Sequence, residues 1–225
     1  MHNFDDFQRM QNLNRLLRFD HHESVPSIEV YFRDLEKHLI DKIKKADCVI
    51  GAVAWITNAG VLKALQEKRC LIVIQQEDFL RPDLCPEMLL ERKSRLQKAY
   101  EKLRPIGPAI WQTGPFSQIP NLKLTHAIQA FGSAPQQKRY YTPKMHNKFL
   151  VFCHKNEVVI SPYAVWTGSY NITALSNHSL ENAMIVYNET IACAYANEAQ
   201  SIYLESAPLD WTQSWIAPAY LRSQP

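Results

Sequence analysis

Two residues whose types do chemistry, His146 and Lys148, stand at the head of the apolar run Phe149 to Phe152. A run of this kind reads as a buried strand, where an imidazole and an ammonium are costly unless they serve a purpose. Strand side chains alternate, so the two leave the backbone on one face. Imidazole can act as a nucleophile, and ammonium is a point charge that holds an anion. A second polar pair at the same spacing, Ser169 and Asn171, follows the apolar lead-in Val165-Trp166. Both side chains can donate hydrogen bonds to negative charge as it grows. A third set, Asn177 to Asn182, runs into the strand-like stretch Ala183 to Tyr187. Its Glu181 is suited to orient an imidazole and to favour its protonated form. Three strand-associated polar sets at short intervals read as one site. No other carboxylates cluster at ligand spacing, so a metal-dependent mechanism lacks ligands and no cofactor is expected.

Between Pro143 and Val186 the chain resembles the phospholipase D superfamily, whose signature is His-x-Lys-x4-Asp followed by Gly-Ser-x-Asn. His146-Asn147-Lys148 matches the first half and Gly168-Ser169-Tyr170-Asn171 the second, while Glu181-Asn182 is similar to the pair that often follows. One position departs: Cys153 stands where the family has its aspartate. By strand parity Cys153 lies on the face opposite His146, so the aspartate is read as a support for the site and its replacement bears on turnover. The resemblance implies an α/β fold, a mixed β-sheet sandwiched between helices, and a phosphodiesterase that uses no metal.

A phosphodiester is an anion, so attack on it needs its charge offset and its leaving oxygen protonated. His146 is the expected nucleophile, giving a phosphohistidine that divides one displacement into two. Lys148 would bind a nonbridging oxygen, Ser169 and Asn171 would donate to the same phosphoryl group, and Glu181 would orient an imidazole. The scheme uses two histidines and the chain has one His-x-Lys strand. Single-motif members of the family dimerise about a two-fold axis, which implies a homodimer pairing two copies of His146 and leaves His154 and His178 as bystanders.

The bulk of the chain must position these groups. With 225 residues, 46% of them hydrophobic, it can bury a full core, and with 21% charged residues and only 6 glycines it does not read as disordered. A net charge of +3 permits an anionic partner without demanding one. The five cysteines are widely spaced with no Cys-x-x-Cys pair, which reads as reduced thiols in a cytoplasmic protein. Neither a secretory signal nor a membrane span is expected.

In chain order, residues 1–25 carry helically spaced apolar groups and form a separate N-terminal segment, packed on the core or offered to a partner. Residues 26–206 read as the catalytic domain. A helix is expected over 27–45, with Ser27 as N-cap and Glu29 in its first turn. An apolar strand over 47–55, a helix over 59–67 capped by Thr57 or Asn58, and a strand over 70–75 read as a βαβ unit. A loop over 77–85 precedes a helix over 86–103, and the prolines of 105–120 demand irregular chain. Residues 126–131 are an edge strand or more loop. Lys138, Arg139, Tyr140, Tyr141 and Lys144 interleave cations with aromatics just before His146. They suit phosphates and stacked bases, or else form a surface loop. A helix over 191–206 should cover the sheet. The tail 207–225, with Trp211, Trp215 and Tyr220, packs on its own chain or seals a partner protein.

These readings converge on a nuclease acting on DNA or RNA. The alternatives are a nucleic-acid-binding module weakened by Cys153, an interaction subunit docked through its tail, and a phospholipase or phosphatidyltransferase.

Overall fold

The computed structural model describes residues 21–76, 87–132 and 144–211. The helical segment expected over 1–25 lies outside them as far as residue 20, as do the loop over 77–85 and the end of the tail. The last residues of that segment are a correction, since Glu23–Val25 is a strand paired with the one that follows and so part of the domain's sheet. Within the described residues one ten-stranded mixed sheet carries helices on both faces. Its strands are β1 (Glu23–Val25), β2 (Ile28–Tyr31), β3 (Cys48–Val53), β4 (Arg69–Gln75), β5 (Arg104–Pro105), β6 (Ile128–Phe131), β7 (Lys148–Asn156), β8 (Val159–Gly168), β9 (Ala183–Val186) and β10 (Ala207–Pro208). The order is β1-β2-β9-β8-β7-β3-β4-β6-β10, with β5 also paired to β4. Strands β3, β4 and β6 run parallel, and β7 to β9 form an antiparallel wing beside them.

Helices α1 (Leu35–Lys45), α2 (Ala59–Gln66) and α3 (Glu87–Glu101) lie on one face, and α4 (Glu189–Leu204) on the other. The alternation of side chains along each strand separates two cores. Val49, Val53, Leu150, Phe152 and Trp166 meet the first three helices, while Ile50, Phe149, Val151, Cys153 and Val165 meet α4. Strand β3 is buried along its whole length, as a central strand covered on both faces must be. Each fully buried Leu, Ile or Val in these layers contributes about 1.5–3 kcal/mol.

The βαβ unit expected from the sequence is β3-α2-β4. Asn58 is the N-cap of α2, its side chain accepting from Val61 N at 3.0 Å. The expectation over 27–45 is corrected, because the helix begins at Leu35 and Ile28–Tyr31 is a strand between β1 and β9. The apolar period that suggested one long helix holds for Leu35, Leu39 and Ile43, which are buried; the β-branched Ile28 and Val30 pair across strands instead. Ser27 caps nothing, and its carbonyl accepts from Tyr187 N at 2.8 Å. Glu29 is likewise removed from any helix terminus. It pairs with the largely buried Lys42 at 2.7 Å and accepts from Tyr31. Burial raises the Glu29 carboxyl, but hydrogen bonding to Lys42, Tyr31 and Tyr187 outweighs it and holds the group at about 2.

Residues 128–131 are an interior strand between β4 and β10, not an edge. Helix α4 begins two residues earlier than expected, since Asn188 caps it through a bond from Ile191 N at 3.0 Å. Trp211 packs against Tyr100 at 5.9 Å between ring centres, so this part of the tail lies on its own chain.

Candidate active site

All the chemistry-bearing segments end at one edge of the sheet. The carboxyl ends of β3 and β4, the amino end of β7, the carboxyl end of β8 and the amino end of β9 meet there, since β3 and β8 run opposite to β7 and β9. Open α/β sheets commonly place their ligands beyond the carboxyl ends of their parallel strands. Lys148 is in register with Val53, and Gly168 with Ala183.

The segment before β7 is fixed by backbone. Met145 N donates to the buried Gln75 side chain at 2.7 Å, and Ala54 N donates to Asn147 O at 2.7 Å. His146 is thereby held exposed, with the Trp55 indole edge-on to its ring at 5.5 Å. Lys148 Nζ folds back to within 3.1 Å of His146 Nδ1 and 3.3 Å of Nε2, and donates to His146 O at 2.9 Å. Burial lowers the Lys148 ammonium below its ordinary range, and the nearby Glu181 carboxylate offsets part of that.

Ser169 and Glu181 meet as a hydrogen-bonded pair, the Ser169 hydroxyl donating to Glu181 Oε2. Ser169 Oγ also accepts from Asn182 N at 3.0 Å, and Ser169 N donates to Asn182 O at 3.0 Å. The approach is so close that a Cβ on Gly168 would lie 2.3 Å from Asn182 O. Here the glycine of Gly-Ser-x-Asn is a steric requirement. His146 therefore touches Lys148, Ser169 touches Glu181, and Lys148 feels the charge of Glu181.

Asn171 is followed by a residue that the backbone ties to the β3–α2 connection. Ile172 N donates to Trp55 O at 3.1 Å, and Ile172 O accepts from Thr57 N and Asn58 N at 2.8 and 3.0 Å. Asn171 Oδ1 is buried with no hydrogen-bond partner among the described residues. Lys144 is exposed just ahead of His146, whereas Lys138, Arg139, Tyr140 and Tyr141 lie outside the described residues.

Cys153 is fully buried among Cys48, Cys193 and the alanines of α4, on the face away from Leu150 and Phe152, whose parity Lys148 shares. A bulge lies between Phe152 and Cys153 in the pairing with β8, yet the inward alternation is kept. Burial pushes its thiol well up, and Cys48 beside it does the same. His154 sits at the far end of β7, stacked on Tyr163 at 4.3 Å and 3.5 Å from Asp47. Among the described residues no three His, Cys, Asp or Glu side chains are grouped to hold a metal ion.

Reading the sequence for polar residues on apolar strands missed Gln75, Trp55, Asn58 and Glu36. Glu36, in the first turn of α1, accepts from the side chains of both Asn58 and Asn177. The one signal for Asn58 was its place as a helix cap; the others sit in segments with no motif.

Comparison with known proteins bears on the family and the fold. A family model described as cardiolipin synthase, PLD-like domain, matches residues 22–203. Uncharacterized protein L381 of Acanthamoeba polyphaga mimivirus is 32% identical over 226 residues, covering 92% of this chain and 76% of that protein. Among solved structures, NucT from Helicobacter pylori superposes with a TM-score of 0.53 at 11% identity, covering 81% of this chain and 98% of that one. The phospholipase D family member Nuc from Salmonella typhimurium gives a TM-score of 0.50 at 16% identity, covering 82% and 99%. At such identities the likeness is one of fold.

Proposed function

The chain belongs to the phospholipase D superfamily, and we propose that within it the protein is a metal-independent phosphodiesterase, a nuclease that cleaves DNA or RNA through a phosphohistidine on His146. The observation that carries this reading is the Lys148 ammonium 3.1 Å from the His146 ring, at the same sheet edge as the Ser169–Glu181 pair. That arrangement supplies a nucleophile, a fixed positive charge and hydrogen-bond donors side by side, which phosphoryl transfer requires.

In the first step an imidazole nitrogen of His146 forms a bond to phosphorus and the ester P–O bond breaks. The leaving alkoxide takes its proton from a second imidazole, supplied by His146 of the other subunit in a two-fold dimer. Water then attacks the phosphohistidine, gives its proton to that second imidazole and releases His146. Lys148 and Asn171 hold the nonbridging oxygens, and Ser169, whose one hydroxyl proton goes to Glu181 in the free protein, joins them by turning that proton to the phosphoryl group when substrate binds. In the free protein Glu181 accepts from that hydroxyl and keeps it beside the site, whereas the expected contact of Glu181 with an imidazole is not made among the described residues.

A polyanionic substrate is supported by the exposed Lys144 and by the Lys138, Arg139, Tyr140 and Tyr141 sequence ahead of it, which offers charge for phosphates and rings for bases. Among the described residues no helix is long and apolar enough to cross a membrane. The test is cleavage of plasmid and single-stranded DNA and RNA in excess EDTA, with His146→Ala as control and phospholipid vesicles as a competing substrate. Cleavage of nucleic acid that EDTA spares and His146→Ala removes is the expected result; EDTA-sensitive cleavage, or turnover of the vesicles alone, contradicts it.

A second reading, a phosphate clamp without turnover, is favoured by one observation: the position of the family's aspartate is an apolar thiol site. It predicts nucleic-acid binding that weakens steeply with salt and yields no product.

A further inference from the structure

Glu36 belongs to none of the motifs, yet its carboxylate joins the two segments that meet at the site. Oε2 accepts from Asn58 Nδ2 at 2.8 Å and from Asn177 Nδ2. Oε1 lies against the first turn of α2, so close that a Cβ on Gly60 would come within 2.5 Å of it. A carboxylate at that end of a helix is favoured by the unpaired amide groups there. From Asn58 the connection runs through backbone to Ile172 O, and Ile172 N returns to Trp55 O, whose ring touches His146. From Asn177 it runs through Oδ1, which accepts from the Tyr170 hydroxyl at 2.8 Å. Tyr170 is 1% exposed and sits between Ser169 and Asn171. Burial raises its hydroxyl, and the charges of Glu36 and Glu181 on either side raise it further.

We propose that Glu36 is a positioning residue: it pins the loop bearing Ser169 and Asn171 to the β3–α2 connection that backs His146. A cavity of about 750 Å³ lined by Phe32, Glu36, Tyr170 and Asn177 opens on this flank, so side-chain packing alone does not fix the loop there. Hydrogen bonds into a charge do so, and they are the stronger kind. Donors for a phosphoryl group must be held within a fraction of an ångström, and a loop anchored on one side only would not hold them. The catalytic consequence rests on the phosphodiesterase reading above; the anchoring itself does not.

A polarity swap tests it. Glu36→Ala removes the oxygen that Asn58 and Asn177 share, Asn177→Asp opposes two carboxylates, and the triple variant Glu36→Gln/Asn58→Asp/Asn177→Asp restores donors facing acceptors, one amide NH2 serving both carboxylates while Val61 N and the Tyr170 hydroxyl keep their partners. The first readout, independent of activity, is hydrogen exchange at the amides of Thr57, Asn58 and Ile172, with Ile50 and Val151 in the central strands as internal reference. Each single variant is expected to speed exchange at those three amides about tenfold or more, to leave the reference amides unchanged, and to lower kcat about 10- to 100-fold with KM within about threefold. The triple variant is expected to recover both readouts to within about threefold of wild type. Wild-type exchange in Glu36→Ala, or a folded triple variant no better than the singles, overturns the proposal. If wild type cleaves no nucleic acid, the nuclease reading falls and the exchange data alone decide whether Glu36 anchors the loop.

Discussion

Ser169 and Glu181 are joined twice, by the serine hydroxyl donating to the carboxylate and by the backbone of Asn182, which exchanges hydrogen bonds with Ser169 N and Oγ at 3.0 Å each. This clasp closes the open end of the β8–β9 ladder and exists because Gly168 lets the two chains touch.

Gly168→Ala is the sharpest structural probe of the clasp. A methyl group there meets the Asn182 carbonyl and the Ala183 backbone, neither of which can step aside. Expected is a loss of roughly 2–4 kcal/mol in denaturant unfolding, with cleavage reduced in the fraction still folded. Ser169→Ala, which removes only the hydroxyl, is expected to cost about 1 kcal/mol while lowering kcat at least tenfold. Equal stability of Gly168→Ala and wild type would show that the close approach is absent.

The pH dependence should carry the mark of Lys148. Its ammonium lies below the ordinary 10.5, so between the two values the folded chain binds fewer protons than the unfolded one. Stability therefore rises with pH across that window, while the charge that holds phosphate is lost there. The cleavage rate is expected to fall on its alkaline side beginning below pH 10.5. Glu181→Gln removes an influence that raises Lys148 and should move that limb to lower pH, and Lys148→Arg should remove it from the accessible range. A limb that stays put in both variants excludes Lys148 as its source.

At the acid end, the contact between β2 and α1 responds through Glu29. Its carboxyl is held at about 2 against an ordinary 4.5, so the stability it contributes is complete above 4.5 and is lost as pH falls toward 2. A Glu29→Gln variant should show a flatter acid unfolding profile over that interval in thermal melts. An unchanged profile would mean that the Lys42 pair is not formed in solution.

Much of this was legible from residue types alone. The β3-α2-β4 unit, the cap at Asn58 and the strand of Phe149 to Phe152 followed from apolar runs and capping chemistry, because local preference and tertiary packing agree there. Ile28–Tyr31 was not legible as a strand. Its apolar residues fall on the helical period of α1, and what decides its state is pairing with β9, far away in sequence. In the site, Lys148 heads β7 while His146, Ser169 and Glu181 lie just off strand ends, and they could be found because polar residues beside apolar runs are conspicuous. Gln75 and Glu36 could not, since their value comes from which distant amides they meet.

Cys153 offers a direct comparison with the family pattern. The position is fully buried beside Cys48 and Cys193 under α4, and among the described residues no cation stands beside it to offset a carboxylate. Cys153→Asp is therefore expected to destabilise by about 3–5 kcal/mol and to bring no gain in cleavage, whereas Cys153→Ala should cost about 1 kcal/mol and leave activity within about twofold. A large gain in cleavage by Cys153→Asp would favour the degenerate-clamp reading instead.

The central claim is that His146 forms the covalent bond to phosphorus. The most direct measurement is acid-free quenching of wild-type enzyme with a slow phosphodiester substrate in excess EDTA, followed by mass spectrometry of the peptides. The account predicts a phosphoryl adduct on the peptide carrying His146, present during turnover, chased by water and missing in His146→Ala. Turnover with an adduct on another residue, or an adduct that survives in His146→Ala, would contradict it.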